Sequence, residues 1–478
     1  MTVSQKQPNI LFILSDDQGP WAMGCAGNSE IQTPHLDRLA AEGMRFTNFF
    51  CTSPVCSPAR ASLLTGRMPS QHGVHDWLRG GNVPGAHRDE SIEYLAGQLG
   101  YTAVLAANGY RCGLSGKWHL GDSYQPQQGF THWYVHEQGG DPYYHAPMIR
   151  NGQPERDPRY LTDLITDDAL AFIDRNAENS APFYLGVHYT APHSPWIENH
   201  PPELVALYDD CPFASCPQEP KHPWVKPDIL ADAWANPREN LQGYFAAVTA
   251  MDHNIGRILE KLDALDIRKD TLIFFTSDNG FNCGHHGIWG KGNGTFPQNM
   301  FDNSVKVPTL ISHRGAIAEG VICDALLSGY DWLPTLLAYV GLDDVGLVHG
   351  GNEDRAVDLP GRSFVPLLRG EASTAHEQVV VYDEYGPVRM VRTAEWKYVH
   401  RYPYGPHELY DLVHDPEERT NLVAQEAHRG QVTALKARLE QWFSRYTDPQ
   451  RDGRVEPVTG KGQLRLAGPA GRGEQAFA

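Results

Sequence analysis

Short apolar runs alternate with stretches of helical periodicity along the first 340 residues. The runs predict buried strands, and the periodic stretches predict helices. The strands are expected at residues 10–14, 111–116, 183–188 and 271–276, and the helices at residues 34–42, 92–108, 161–175 and 240–265. Repeated alternation of helix, strand and polar loop is typical of an α/β fold with a mostly parallel central sheet and helices on both faces.

The pattern changes after Pro360, where shorter alternating runs predict a small antiparallel sheet and a closing amphipathic helix. These elements are expected at residues 379–382, 388–392, 396–401 and 431–446. We therefore divide the chain into a catalytic α/β domain (1–360), a C-terminal α+β subdomain (361–450) and a tail (451–478). The tail is rich in Gly, Arg and Pro, so we expect it to be disordered or to lie as an arm on another subunit of a homo-oligomer.

The composition is that of an ordinary globular protein with an excess of acidic residues. Of 478 residues, 41% are hydrophobic and 21% are charged, and the formal net charge is −18. Phosphate backbones select basic surfaces, so this charge argues against a nucleic-acid partner. An enzyme of this charge that acts on anions needs a local cluster of basic residues, because its mean field repels them.

The N-terminal segment and the cysteines bear on the cellular compartment. The first apolar run has five residues and is followed by two aspartates, which makes it too short for a secretory signal or a membrane span. Eight cysteines scattered over the chain do not form a disulfide framework. We therefore expect a cytoplasmic protein with no membrane partner.

Polar side chains follow several predicted strands. Asp16 and Asp17 follow the first strand, and Asp278 and Asn279 follow the last one before residue 300. In open α/β sheets ligands bind beyond the carboxyl ends of the strands, so these loops are expected to converge. A strand-end turn explains either pair taken alone. Together their oxygens suit a hard cation, and Ca²⁺ takes such ligands more readily than zinc does.

The most specific pattern is Cys-Ser-Pro-Ala-Arg at residues 56–60, followed by Thr-Gly at residues 65–66. Pro58 suits a first helical turn and Gly66 suits a helix end, so Cys56 is predicted at or just before a helix N-terminus. Backbone N–H groups there favour an anion. The alternative is a buried thiol with a purely structural role.

With this pattern the sequence resembles the type I sulfatases of the alkaline phosphatase superfamily, whose signature is Cys-x-Pro-x-Arg followed by Thr-Gly. The resemblance runs from Asn9 to Glu417. It implies an alkaline phosphatase-like fold and hydrolysis of sulfate esters. It also implies that a maturation enzyme oxidises Cys56 to formylglycine, whose hydrated gem-diol attacks sulfur. A sulfated Ser or Cys would be a trapped ester, whereas a sulfated gem-diol expels sulfate by restoring the aldehyde.

The resemblance also implies a metal site. Its ligands would be Asp16, Asp17, Asp278, Asn279 and the oxygen of modified Cys56, holding one Ca²⁺ that neutralises sulfate and lowers the pKa of the gem-diol.

Basic residues complete the site that the resemblance implies. Arg60 would steady the modified residue, and His119 would act as a base. Lys117, His193 and Lys291 would bind sulfate oxygens and stabilise the leaving group. These are the local cations that the acidity of the chain makes necessary.

Loops between the motifs mix aromatic residues with Asp, His and Arg, as sugar-binding sites do. The candidate substrate-binding residues are His75, Asp76, Trp77, Arg79, Tyr143, His188 and His286. A carbohydrate sulfate is the first substrate hypothesis, and a small aryl or alkyl sulfate is the second. Closure of a core explains the aromatic residues equally well.

Two other functions fit parts of the pattern. A phosphonate monoester or phosphodiester hydrolase of the same superfamily shares the nucleophile and the metal site. A sulfate-binding relative without activity is disfavoured because the expected site residues are all present.

Overall fold

A ten-stranded mixed sheet forms the centre of the protein. The structure, a computed structural model, describes residues 7–82, 91–140, 142–226, 228–343, 358–371, 376, 378–380, 387–471 and 475–478. The strands are β1 (Asn9–Ser15), β2 (Met44–Phe46), β3 (Phe49–Phe50), β4 (Arg111–Gly116), β5 (Phe130–His136), β6 (Pro147–Arg150), β7 (Gln153–Arg156), β8 (Phe183–His188), β9 (Thr271–Ser277), β10 (Asn282–Cys283), β11 (Trp289–Gly290), β12 (Thr309–Ser312), β13 (Val321–Cys323), β14 (Leu327–Ser328), β15 (Gln378–Val379), β16 (Val388–Thr393), β17 (Trp396–Arg401) and β18 (Glu408–Asp411).

The sheet order is β13-β2-β12-β9-β1-β8-β4-β5-β6-β7. Its middle, from β9 through β1, β8 and β4 to β5, is parallel, whereas β12, β6 and β7 run antiparallel to their neighbours on that path. The predicted mostly parallel sheet is therefore confirmed, with antiparallel strands added at both edges.

Helices cover both faces of this sheet. They are α1 (Pro34–Ala41), α2 (Cys56–Thr65), α3 (Pro69–His72), α4 (Tyr101–Ala107), α5 (Leu161–Asn176), α6 (Pro202–Val205), α7 (Ala231–Ala235), α8 (Pro237–Ala264), α9 (Asp302–Val305), α10 (Trp332–Tyr339), α11 (Val365–Leu368) and α12 (Arg429–Tyr446). Along β1, Ile10 and Phe12 pack into the core that includes residues of α2, α4 and α10, whereas Leu11 and Ile13 pack into the core that includes residues of α1, α5 and α8. Burial on both faces explains why β1 is a continuous apolar run.

One predicted helix is much shorter than expected. Of residues 92–108, only Tyr101–Ala107 are helical, and the preceding residues form turns. Gly97 has φ +72°, a left-handed conformation that ends a helix, and extended Gly100 caps α4. Tyr94 and Leu95 contribute to the apolar pattern that predicted a helix, but they lie in a turn whose side chains are buried in the core. The other strands and helices predicted before residue 300 are confirmed, with ends shifted by at most three residues.

The C-terminal subdomain is a four-stranded antiparallel sheet, β15-β16-β17-β18, against which α12 packs. The predicted strand at 379–382 is represented by β15, and residues 381 and 382 lie outside the described residues. Met390, Val399 and Leu439 belong to the same buried cluster as Phe274 of β9. Catalytic domain and subdomain therefore share one core.

A buried ionic cluster joins the two parts. The side chain of Lys397 on β17 is 0% exposed and contacts Asp302 at 2.5 Å and Glu418, while its Nζ donates to the carbonyl of Met300 at 2.8 Å. Asp302 opens α9 in the catalytic domain. A buried charge is tolerated only when it is paired and hydrogen-bonded, so this contact fixes how the subdomain docks.

The described part of the tail lies against its own chain and is ordered there, whereas contact of the tail with another subunit stays a prediction. Val458, Ala467 and Phe477 pack on Val55. Gln463 is buried, its N–H donates to the carbonyl of Trp77 at 2.8 Å, and its carbonyl accepts from two amides of the loop that follows Trp77. Its side-chain oxygen accepts from the amide of His75 at 2.9 Å. The few apolar residues of the tail are supplemented by backbone pairing, which composition does not reveal.

Within the described residues, the helices lack the combination of length and apolar character that crossing a bilayer requires.

Lys397→Met is expected to lower the free energy of unfolding by about 3–5 kcal/mol, because it leaves the buried carboxylate of Glu418 without its cation and removes one of the cations that contact Asp302. Denaturant unfolding followed by circular dichroism measures this. Lys436→Met is the control, since its side chain is 45% exposed and lies 3.6 Å from Glu440; its effect should stay within about 0.5 kcal/mol. Equal midpoints for the two variants would contradict the proposed role of the ionic cluster.

Gln463→Ala is expected to speed hydrogen exchange at the amides of His75 and Asp76, which donate to its side-chain oxygen at 2.9 and 3.4 Å. Loss of a buried acceptor worth about 1–3 kcal/mol corresponds to roughly 5- to 150-fold faster exchange. Gln450→Ala, at an exposed position just before the tail, should leave the exchange rates of these amides unchanged. Unaltered exchange in Gln463→Ala would mean that the tail does not hold this loop.

Candidate active site

The acidic residues of the site meet because β1 and β9 are parallel neighbours in register. Ser15 pairs with Ser277, so the residues that follow each strand emerge side by side. One carboxylate oxygen from each of Asp16, Asp17 and Asp278 lies within 4.8 Å of the others, and all three side chains are buried. This is the convergence that the strand-end pattern predicts.

Hydrogen bonds fix this acidic cluster. Asp278 accepts from the backbone amides of Asp17 and Asn279 at 3.3 and 2.8 Å. Asn279 Nδ2 donates to Asp17 at 2.7 Å. The Oδ1 of Asn279 is buried and, among the described residues, accepts no hydrogen bond. Together, the unsatisfied amide oxygen and the three carboxylates form a set of oxygen ligands that suits a hard cation.

Cys56 opens α2, and the helix ends at Gly66 with φ +67°, as the motif predicts. The side chain lies against the acidic cluster, with Sγ 3.4 Å from Asp16 Oδ1. On its other side, Lys291 Nζ donates to Sγ at 2.8 Å. The structure therefore brings residue 56 together with the two strand-end motifs.

The thiol of Cys56 is not activated in this setting. Burial, and next the negative charge of Asp16, raise its pKa to about 12, although Lys117 and Lys291 act in the opposite direction. The thiolate is the nucleophilic form of cysteine, and it is scarce at neutral pH when the pKa is this high. Unmodified Cys56 is consequently a poor nucleophile.

Arg60 lies one helical turn after Cys56, on the same face of α2. Its guanidinium is 2.9 Å from Asp278 and 3.6 Å from Asp16, and it donates to the carbonyl of Lys117 at 3.1 Å. It thereby ties the helix to the strand ends that follow β9, β1 and β4.

Two lysines reach the cluster from other loops. Lys117, just after β4, contacts Asp16, and Lys291, just after β11, lies 2.5 Å from Asp17. Burial alone raises the pKa of Asp16, but the surrounding cations, led by Lys117, hold it well below its usual range. Burial disfavours charged Lys291, yet Asp17 raises its pKa well above the ordinary value. Asp16 is therefore negatively charged and Lys291 positively charged in the folded protein.

The ring of His119 sits at the edge of the same site. Its Nε2 lies 2.9 Å from the carbonyl of Leu78, which can only accept, so Nε2 carries the proton. Burial, and next the charge of Lys117, lower its pKa well below the ordinary value and keep the ring neutral. Its Nδ1 has no hydrogen-bond partner within the described part of the chain, which leaves a lone pair for a substrate proton.

His193 follows β8 and lies on the other side of the acidic cluster. Its Nδ1 donates to the carbonyl of Ser194 at 2.7 Å, and its Nε2 is 3.7 Å from Asp17. The hydroxyl of Tyr143 donates to the carbonyl of His193 at 2.7 Å, which holds the loop in place.

These groups open into a cavity of about 560 Å³, a size typical of small-molecule sites. It is lined by Cys56, Trp77, Leu78, Arg79, Asn82, Lys117, His119, Gln138, Gly139, Gly140, His193, Lys291 and Asn293. Besides the candidate residues, the lining includes Asn82, Gln138 and Asn293, which the sequence analysis did not identify as candidates. Asn82 and Gln138 are polar residues outside any motif, whereas Asn293 lies two residues after Lys291 in the same glycine-rich motif.

Gly139 and Gly140 were also missed, although a Gly-Gly pair after a strand is a visible signal of close approach. A Cβ on Gly139 would lie 2.4 Å from Cε1 of His119, and one on Gly140 would lie 3.3 Å from Cε1 of His193. The missing side chains make room for both imidazole rings.

The candidate substrate-binding residues divide into two groups. Trp77 and Arg79 line the cavity. The others lie outside its lining: His75, Asp76, Tyr143, His188 and His286. His286, for example, stacks on the ring of Phe301 at 3.9 Å. Asp141, in the loop before Tyr143, lies outside the described residues.

Comparison with known proteins agrees with this geometry. A family model described as Sulfatase matches residues 8–342, and one described as N-sulphoglucosamine sulphohydrolase, C-terminal, matches residues 284–445. The chain is 28% identical to an N-acetylglucosamine-6-O-sulfatase of Bacteroides thetaiotaomicron, over 96% of this chain and 90% of that protein. It is 30% identical to an ulvan-active sulfatase of Formosa agariphila, over 92% of this chain and 82% of that protein.

The fold is shared with solved structures. A protein in complex with its substrate D-glucosamine-2-N,6-O-disulfate gives a TM-score of 0.75 at 24% identity, covering 94% of this chain and 99% of that chain. The family match spans most of the catalytic domain, including Cys56 and both strand-end motifs. This chain therefore belongs to the sulfatase family and is a sulfuric ester hydrolase.

Proposed function

We propose that this chain hydrolyses a carbohydrate sulfate, using formylglycine formed from Cys56 and one bound Ca²⁺. The observation that carries the proposal is the position of Cys56. Its Sγ lies between a carboxylate of the acidic cluster, 3.4 Å away, and the ammonium of Lys291, 2.8 Å away, at the wall of the substrate-sized cavity. A reacting oxygen in that place would contact both a metal site and a cation.

The acidic cluster suits calcium by its donors. The ligands would be Asp16, Asp17, Asp278, the unsatisfied Oδ1 of Asn279 and an oxygen on residue 56. The ion supplies positive charge that offsets sulfate oxygens and lowers the pKa of a hydroxyl beside it.

Charge balance supports the same assignment. Three carboxylates face three cations, Arg60, Lys117 and Lys291, so the cluster is neutral as the protein alone provides it. Adding a divalent cation leaves an excess of about two positive charges, by simple counting, in the pocket that must accept an anionic ester. This answers how a chain of net charge −18 can bind sulfate.

Formylglycine is supported by the state of the thiol. A pKa of about 12 leaves Cys56 protonated, so the unmodified residue lacks nucleophilic power. The hydrated aldehyde supplies one hydroxyl that attacks sulfur and a second that permits release of sulfate when the aldehyde re-forms. The maturation enzyme that performs the oxidation is a required partner of this proposal.

The remaining residues of the site position the ester and move protons. Lys117 and Lys291 would bind sulfate oxygens, and Arg60 would fix residue 56 through its contacts with Asp278. His193, at the rim, is placed to assist the leaving alcohol. The bare Nδ1 of His119 is placed to take a proton, because Nε2 is held by Leu78.

A sugar ring is the favoured leaving group. Beyond the sulfate end, the cavity presents an aromatic ring, an arginine and three amides, from Trp77, Arg79, Asn82, Gln138 and Asn293. Aromatic stacking combined with amide hydrogen bonds suits the faces and hydroxyls of a saccharide. The carbohydrate substrates in the names of the two relatives point the same way.

Cys56→Ala is expected to lower kcat on 4-nitrophenyl sulfate by at least about 10³-fold, because it removes the nucleophile. In wild-type protein matured with its activating enzyme, mass spectrometry should show the peptide containing residue 56 about 18 Da lighter than its cysteine form. Cys323→Ala, half-buried on an edge strand, serves as the control and should retain activity. Full activity in Cys56→Ala would contradict the proposed nucleophile.

A parallel assay with a phosphonate monoester separates the two hydrolase classes. The sulfatase proposal predicts that kcat/KM for the sulfate exceeds that for the phosphonate. A large excess in favour of the phosphonate would replace it with the phosphonate hydrolase alternative.

Chelation by EGTA is expected to abolish turnover, and added Ca²⁺ is expected to restore it. Since the ion binds the folded state, Ca²⁺ at about 100 times its Kd should stabilise wild-type protein by about 2.7 kcal/mol and raise its Tm. Asn279→Ala removes the unsatisfied oxygen and should weaken this Tm shift, whereas Asn48→Ala, at the surface, should preserve it. Unchanged turnover after chelation would remove calcium from the proposal.

A further inference from the structure

Arg79 differs from the cations that surround the acidic cluster. Arg60, Lys117 and Lys291 are buried and already paired with carboxylates. Arg79 lines the cavity but is exposed, and its side chain has no ion pair or hydrogen bond with any residue that the structure describes. Among the described residues it is therefore a cation without a protein partner, placed where a ligand can reach it.

The chain has 58 acidic and 40 basic residues. Several exposed or partly exposed arginines pair with carboxylates, whereas Arg111, Arg175 and Arg238 contact only uncharged groups among the described residues. The pairs with carboxylates involve Arg38, Arg150, Arg159, Arg257, Arg314, Arg419 and Arg445. What distinguishes Arg79 from the other described arginines without a carboxylate partner is its place in the lining of the cavity.

The backbone of Arg79 is held in place, although its side chain makes no hydrogen bond or ion pair within the described part of the chain. Its amide donates to the carbonyl of Gln463 at 2.8 Å, and the amide of Gly80 donates to the same carbonyl at 3.2 Å. Gly462 lies so close that a Cβ there would be 2.8 Å from the Cβ of Arg79. A fixed backbone with a free cationic side chain is the arrangement of a preorganised binding residue.

The neighbours of Arg79 are suited to a sugar. Trp77 offers a half-buried ring to the cavity. Asn82 is 5% exposed, and its Oδ1 accepts no hydrogen bond from the described residues. An unsatisfied amide oxygen at the cavity wall is placed to accept from a ligand hydroxyl. The anion that Arg79 binds would accordingly be carried on a saccharide.

We propose that Arg79 forms a second anion subsite, and that the natural substrate is a saccharide with a further anionic group besides the sulfate ester that is cleaved. This inference rests on the proposed function. The group is a sulfate or a carboxylate, because a guanidinium binds either through paired N–H donors. The subsite would select doubly charged saccharides over neutral sugars that carry one sulfate.

The test measures inhibition of 4-nitrophenyl sulfate hydrolysis by matured enzyme. Three inhibitors are compared: a neutral hexose monosulfate, a hexose disulfate, and a monosulfated disaccharide containing a uronic acid. The last two distinguish a second sulfate from a carboxylate. In wild-type enzyme, at least one doubly charged saccharide should inhibit about 10- to 100-fold more tightly than the neutral monosulfate, as expected for a charge-assisted hydrogen bond.

Arg79→Gln should abolish this preference, measured as the ratio of the inhibition constants within that variant, so that a change in its kcat on 4-nitrophenyl sulfate does not enter the comparison. Arg79→Lys should retain part of it, because it keeps the charge and loses the paired donors. Arg429→Gln, at an exposed position of α12, is the matched control and should behave as wild type.

A preference that survives in Arg79→Gln overturns the inference, as does equal inhibition by all three saccharides in wild-type enzyme. Absence of 4-nitrophenyl sulfate hydrolysis by matured wild-type enzyme would instead overturn the proposed function on which the inference rests.

Discussion

The in-register pairing of β1 with β9 is the constraint on which the site depends. It places three buried carboxylates within 4.8 Å of one another, an arrangement that repulsion and desolvation disfavour. The cations that offset this cost come from three other segments, after β4, after β11 and from α2. Electrostatic balance therefore fixes five parts of the chain around one point, and the same balance creates the chemistry of the site.

Much of this arrangement could be predicted from residue types and periodicity. The strands of the parallel core are buried on both faces and read as continuous apolar runs, so the residues after them could be located. The helix start at Cys56 could be inferred from Pro58 and Gly66. Helix 92–108 could not be placed correctly, because an apolar pattern does not distinguish a helix from a buried turn.

The substrate side of the cavity was harder to predict. Residues 75–79 all have the composition of a sugar-binding loop, yet only those from Trp77 onward line the cavity. The amides of His75 and Asp76 are occupied by Gln463, which lies nearly 400 residues away in sequence. Long-range pairing of this kind leaves no local signal, and the Gly- and Arg-rich composition around Gln463 suggests an unstructured tail.

The depth of Cys56 has a consequence for the order of events during synthesis. Cys56 is only 3% exposed, and it lies at the wall of a cavity that is formed by several loops. A second protein cannot bring its own catalytic groups to that sulfur once α2 has packed against the strand ends. If the thiol is converted to an aldehyde, the conversion has to take place on a nascent or unfolded polypeptide, and a chain that folds first would be locked in the unconverted form.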